Sequence, residues 1–110
     1  MRVSAAAMLA VAALAAPRPV RAAEPVTLSL VLQDHKFVPA ELHAPADTPI
    51  VFRVKNLNTI VSEIESSDLH FEKIVPVGAE VVVRVRPLSP GRYNFFDDFH
   101  HETQGYLVVP

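Results

Sequence analysis

Apolar residues in this chain recur at every second position in short runs, and each run stops at proline, glycine or a cluster of turn formers. Period-two alternation puts the apolar side chains on one face of an extended strand and the polar ones on the other, a pattern that a helix cannot bury. Residues 26–32 alternate in this way, and in residues 49–56 Phe52 and Val54 share one face while Arg53 and Lys55 share the other. Residues 80–85 are rich in β-branched side chains, which suit a pleated surface. Residues 92–96 and 106–109 predict two more strands, joined by a loop over 97–105, and residues 87–91 form a Pro-Leu-Ser-Pro-Gly turn. Residues 37–42 contain Pro39 and predict a short edge-like piece, because proline cannot donate to a ladder.

The stretch 60–75 is ambiguous at first. Ile60, Ile64, Phe71 and Ile74 recur near helical spacing, yet Glu63-Ile64-Glu65 and residues 71–75 also suit two short strands around a Ser66-Ser67-Asp68 turn. Strands on both sides favour the second reading. Seven or eight short strands separated by turn signals predict an all-β Greek-key sandwich with no helix.

The first 22 residues belong to a different class. Met1-Arg2 precedes an apolar run from Val3 to Ala16, and Val20-Arg21-Ala22 is a small-x-small cleavage signal. These features predict a secretory signal peptide over 1–22, cut after Ala22 or Ala23, with one domain over 23–110 delivered to the periplasm. Its apolar stretch is too short to span a bilayer. Removing it takes away Arg2, Arg18 and Arg21, which leaves seven basic residues against twelve acidic ones and a formal charge of −5. Such a surface argues against nucleic acid and anionic membranes as partners. The chain has no cysteine, so disulfides and thiolate chemistry are both excluded, and both methionines, Met1 and Met8, lie in the leader.

Chemistry in a sandwich is carried by the loops at one end. Asp97, Asp98, His100, His101 and Glu102 fall within six residues, and imidazole with carboxylate suits Fe, Mn, Zn and Cu(II). By itself such a cluster is equally the composition of a solvated loop.

The string YNFFDDFHHETQGYLVVP resembles the C-terminal signature of the cupredoxins, in which an aromatic strand ends in cysteine and a short loop supplies histidine and methionine. On the C-x-x-H-x-x-M-x-G spacing of the short-loop members, the cysteine position is Asp97, the histidine His100, the methionine Thr103 and the glycine Gly105. The place of the first cupredoxin histidine falls near Ser62-Glu63. The resemblance covers the whole mature chain and implies a cupredoxin-like Greek-key sandwich, but three of four blue-copper ligands are missing. Blue-copper electron transfer is therefore excluded chemically.

A narrower resemblance, to the EfeO-type cupredoxin-like proteins, rests on Glu63-Ile64-Glu65-Ser66, Leu69, Glu72-Lys73-Ile74-Val75-Pro76, the Pro87-Leu88-x-Pro90-Gly91-x-Tyr93 turn and Phe95-Phe96-Asp97-Asp98-Phe99-His100. It implies an iron or copper ion, and as partners a membrane iron permease and other periplasmic iron-uptake components. The expected ligands are Glu63, Asp97 or Asp98, and His100, with Glu65 and His101 in support. Ferroxidase-like assistance fits such a shell, because hard oxygen donors favour Fe(III) over Fe(II). It would need an electron acceptor. Two other readings fit the same residues: a metal chaperone without turnover, and a metal-free interaction sandwich. His70 and Glu72 are read as surface residues, His35 and His43 are assigned no role, and Phe52, Tyr93, Phe95, Phe96 and Phe99 are expected in the core.

Overall fold

The alternating runs become strands in the computed structural model, which describes Arg2, residues 4–17 and residues 24–110. Nine strands and no helix are found among the described residues: β1 Val26–Gln33, β2 Lys36–Val38, β3 Glu41–His43, β4 Ile50–Asn56, β5 Ser62–Ser66, β6 Phe71–Val75, β7 Glu80–Val85, β8 Gly91–Asp97 and β9 His100–Val109. They form two stacked sheets, one with the order β2-β1-β4-β7 and one with the order β3-β9-β8-β5-β6. β1 pairs with β4 and β3 with β9 in parallel, and the other pairings are antiparallel. This is the expected all-β sandwich.

Alternation decides the core. Leu30 and Leu32 of β1, Phe52 and Val54 of β4, Ile64 of β5, Phe95 of β8 and Leu107 and Val109 of β9 all point between the sheets and are buried. Phe95 sits edge-on to Phe37 at 5.0 Å and to Phe52 at 5.8 Å, the arrangement that the ring quadrupole prefers. Asn56 is fully buried at the end of β4, and its amide donates to the carbonyls of Ile60 and Val75 while its oxygen accepts from the Asn58 backbone. Those three bonds shape the β4–β5 connection that leads the chain into the candidate site.

Three expectations need correction. The piece over 37–42 is two strands in different sheets, because Phe37 packs with β1 while Leu42 packs with β9, and the chain crosses between sheets at Pro39-Ala40. The loop over 97–105 is mostly strand: only Asp98 and Phe99 turn, and β9 begins at His100 with an irregular register after Phe96. Thr103 and Gly105 are buried inside that stretch, so a run of polar letters conceals a strand with a packed inner face. Phe99 lies at the turn and is 47% exposed, and Phe96 and Tyr93 are half-buried.

Residues 4–17 form neither helix nor strand, and Met8 and Leu14 are each 96% exposed, so this stretch adds nothing to the core. The expected cleavage points at Ala22 and Ala23 lie outside the described residues. Among the described residues, no helix is long and apolar enough to cross a membrane.

Candidate metal centre

The pleat of β5 turns Ser62, Ile64 and Ser66 toward the core and Glu63 and Glu65 toward the outer face of the five-stranded sheet. Across one edge, β6 places Glu72 directly opposite Glu65, and across the other, β8 places Phe96 opposite it. The next residue beyond β8, Asp98, is held beside Glu63 by its backbone N–H donating to the Glu63 carbonyl at 2.8 Å. Ligand oxygens of Glu63, Glu65 and Asp98 consequently lie within 4.8 Å of one another, the one such trio among the described residues. The register irregularity in β9 brings His101 onto the same face, its ring edge-on to Phe96 at 5.9 Å and its Nε2 3.2 Å from Asp98 Oδ1. Donors bound to one ion at about 2.0–2.6 Å are separated by about 3–4 Å, so small side-chain rotations would close this set on a cation.

Electrostatics mark the cluster as short of positive charge. Desolvation first, then hydrogen bonding with Glu72 and the charges of Glu72, Asp98 and Glu65, hold the Glu63 carboxyl above its ordinary value of 4.5. Glu65 is raised as well, by desolvation and by the charges of Asp98 and Glu72. None of the ion pairs among the described residues reaches Glu63 or Glu65. Like charges placed directly across a strand pair destabilise it, and a bound cation removes that repulsion.

The sign of the pH effect follows. A carboxyl whose folded-state pKa exceeds its unfolded value binds more protons folded than unfolded, so stability falls as pH rises through the interval between the two values. We expect the metal-free protein to lose stability as pH rises from about 4.5 through the raised range of Glu63 and Glu65. Saturating divalent cation should flatten that slope. Melting curves taken with and without the cation across this interval check the prediction, and a metal-free protein that gains stability over that rise would contradict it.

The six residues expected to share one site are divided between two places. Glu63, Glu65, Asp98 and His101 meet on the outer face, whereas Asp97 and His100 lie at the end of the sandwich. Asp97 is opposite core-facing Ile64, and its 1% exposed carboxylate accepts from the backbone N–H groups of Glu63 and Phe99 on Oδ1. Its Oδ2 lies 3.1 Å from His100 Nδ1. β8 ends at Asp97, and the turn that follows carries Asp98 to the outer face beside Glu63, so Asp97 and Asp98 serve different surroundings. Glu72 stands out as a charge of the cluster that the sequence reading left on the surface. The expected Ser66-Ser67-Asp68 turn would have paired residue 65 with residue 69; the turn covers residues 67–70 instead, and that sets residue 72 opposite residue 65.

The donor set at the sandwich end does not fit a blue-copper ion. Asp97 occupies the cysteine position and its oxygens are engaged in three hydrogen bonds. Thr103 occupies the methionine position and spends its hydroxyl on the His35 carbonyl at 2.6 Å. Ser62, near the place of the first histidine, is buried with its hydroxyl unpartnered.

Comparison with known proteins places the chain. A family model for the cupredoxin-like domain matches residues 4–109. An uncharacterized protein of Rickettsia prowazekii (strain Madrid E) is 40% identical over 83 residues, 74% of this chain, and the chain spans 66% of that relative's length. Among solved structures, the metal-binding domain of the Cu(I)-exporting P-type ATPase CopA of Streptococcus pneumoniae D39, crystallised with Cu(I), superposes with a TM-score of 0.69 at 17% identity, covering 78% of this chain and 86% of that one. Auracyanin A, a "blue" copper protein of Chloroflexus aurantiacus, superposes with a TM-score of 0.64 at 17% identity, covering 79% and 100%. These likenesses show the fold, and the family match covers nearly the whole chain: this protein belongs to the cupredoxin-like domain family.

Proposed function

We propose that this chain is an exported metal-binding protein that takes up a divalent ion, iron or copper, through Glu63, Glu65 and Asp98 with His101, and passes it to a membrane iron permease. The observation that carries the reading is the trio of carboxylates within 4.8 Å, two of which, Glu63 and Glu65, have raised pKa values and no ion pair among the described residues. Oxygen donors with one imidazole suit Fe and Mn, and accept Cu(II) or Zn, better than they suit Cu(I), which prefers sulfur. The EfeO-type motifs support iron as the cargo, and the names of the copper-binding neighbours support copper. Binding and hand-over need no electron acceptor, so the proposal is for carriage of the ion without turnover.

Metal analysis of mature protein prepared with Fe(II), with Cu(II) and metal-free tests this reading. We expect Fe(II) to be held at about one ion per chain at the carboxylate cluster, and either metal to raise the melting temperature by mass action. Cu(II) should give only weak ligand-field absorption and no intense thiolate band, because the mature chain contains no sulfur ligand. Protein that retains no metal under any of these conditions would make the chain a metal-free interaction sandwich.

A further inference from the structure

Outside the carboxylate cluster, the two histidines at the end of the sandwich form an arrangement that the reading above does not use. The rings of His35 and His100 stand with centroids 5.5 Å apart and planes inclined at 51°. Two imidazoles bound to one ion at about 2.0–2.1 Å, with a near-tetrahedral angle between them, have centroids about 5–5.5 Å apart. His100 is 19% exposed and its Nδ1 faces the buried Asp97 carboxylate at 3.1 Å. A carboxylate only accepts, so that nitrogen carries the hydrogen and Nε2 keeps the lone pair, the orientation seen when a carboxylate fixes a ligating histidine.

His35 is held just as firmly, at a backbone conformation that disfavours it. Asp34 and His35 form the two-residue β1–β2 turn with φ of 51° and 56°. In such turns glycine is preferred at the second position, because a side chain is strained there. The turn is nevertheless clamped from both sides: the His35 N–H donates to Asn58 Oδ1 at 3.3 Å, and its carbonyl accepts from Thr103 Oγ1 at 2.6 Å. Two long-range bonds thus hold an imidazole at a φ where glycine would be free of strain. A cleft of about 210 Å³ lies between the β1–β2 and β4–β5 turns, lined by Asp34, His35, Asn58 and Thr59 among others, and His100 does not line it.

We infer that His35 and His100, oriented by Asp97 and by the clamped turn, form a second metal site that takes a borderline divalent ion such as Cu(II) or Zn(II) through two imidazole nitrogens. It lies on the other side of the Asp97-Asp98 step from the carboxylate cluster. The site does not depend on that cluster and shares no ligand with it. Borderline ions match imidazole, whereas a hard ion such as Mn(II) prefers the carboxylates, so the two sites are separable by choice of metal.

The test uses mature protein carrying Glu65→Gln, which weakens the carboxylate cluster, loaded with one equivalent of Cu(II) and observed by pulsed electron paramagnetic resonance. Coupling to two imidazoles is expected. His35→Gly should reduce this to one imidazole and weaken Cu(II) binding at least tenfold, while melting of the metal-free protein is unchanged or raised, since glycine adopts a φ of 56° without strain. His100→Phe, which keeps a ring against His35, should weaken Cu(II) equally. A purely structural contact would give the reverse: His35→Gly would lower the melting temperature and leave Cu(II) coordination as it was. Retained two-imidazole coupling in His35→Gly overturns the proposal whatever the carboxylates do.

Discussion

Replacing Glu65 with glutamine should raise the melting temperature of the metal-free protein and, in the same molecule, weaken Mn(II) or Fe(II) binding tenfold or more. The two effects have opposite signs for one reason. Glu65 faces Glu72 across β6 and lies with Glu63 and Asp98 in a carboxylate trio, and its own carboxyl is raised by desolvation and by the charges of Asp98 and Glu72. Glutamine keeps the shape, removes one negative charge, and offers N–H donors to the oxygens that remain. Without metal, that relieves repulsion. With metal, it removes a ligand and part of the field that holds the ion. Glu65 is the better choice than Glu63 for this experiment because it is half-buried, whereas Glu63 is 9% exposed and its backbone N–H is bonded to Asp97. A charge patch without a function in binding would show the gain in stability and leave metal affinity untouched. Thermal melts and metal titrations of the same preparation separate these outcomes.

Gly105→Ala should be among the most damaging single substitutions in the domain, at about 3 kcal/mol, near the upper end of what overpacking costs. A Cβ at residue 105 would fall on the Phe95 ring, directly across β8–β9. Phe95 is fully buried and is braced edge-on by Phe37 and Phe52, so its ring has nowhere to go. The requirement is one of space: the glycine opens room for the largest side chain at the centre of the core. For a domain of this size the loss corresponds to a fall in melting temperature on the order of 10–20 °C. Phe95→Leu introduced into the Gly105→Ala protein should recover part of it by vacating that volume, and an unaltered melting temperature in Gly105→Ala would contradict this packing.

The strand pattern was legible because strand alternation depends only on which residues are apolar. Phe52, Val54, Ile64 and Phe95 report their own side of the sheet. A turn between β5 and β6 was legible too, since polar turn formers separate two apolar alternations, but it covers residues 67–70 and Ser66 belongs to β5. Less could be read where polar residues occupy a strand. His100 to Gln104 look like loop, and only the burial of Thr103 against the His35 carbonyl shows that this stretch continues β9. The register irregularity that swings His101 over Phe96 has no letter of its own, because it arises from how β8 and β9 meet at the turn.

The end of β8 divides the candidate ligands. Asp97 and Asp98 are neighbours in sequence and alternatives for one ion in the sequence, but Asp97 closes the strand with its carboxylate buried while the turn carries Asp98 to the outer face. The cupredoxin spacing located the sandwich-end group, Asp97, His100 and Thr103, whereas the Glu63-Ile64-Glu65 alternation located the outer-face group. His35 carried no sequence signal as a ligand. Its distinguishing property is the sign of a backbone angle, which follows from the two-residue turn between β1 and β2 and not from histidine itself.

If the outer-face carboxylates hold a metal ion, anomalous diffraction from crystals of the protein grown with Mn(II) will locate it. Mn(II) is a hard ion that selects oxygen donors over the imidazole pair. One strong anomalous peak is expected, bounded by carboxylate oxygens of Glu63, Glu65 and Asp98 with the His101 ring beside it, and that peak should be lost in Glu65→Gln crystals. Saturating Mn(II) with no peak at these three residues, or a peak that survives Glu65→Gln unchanged, would contradict it.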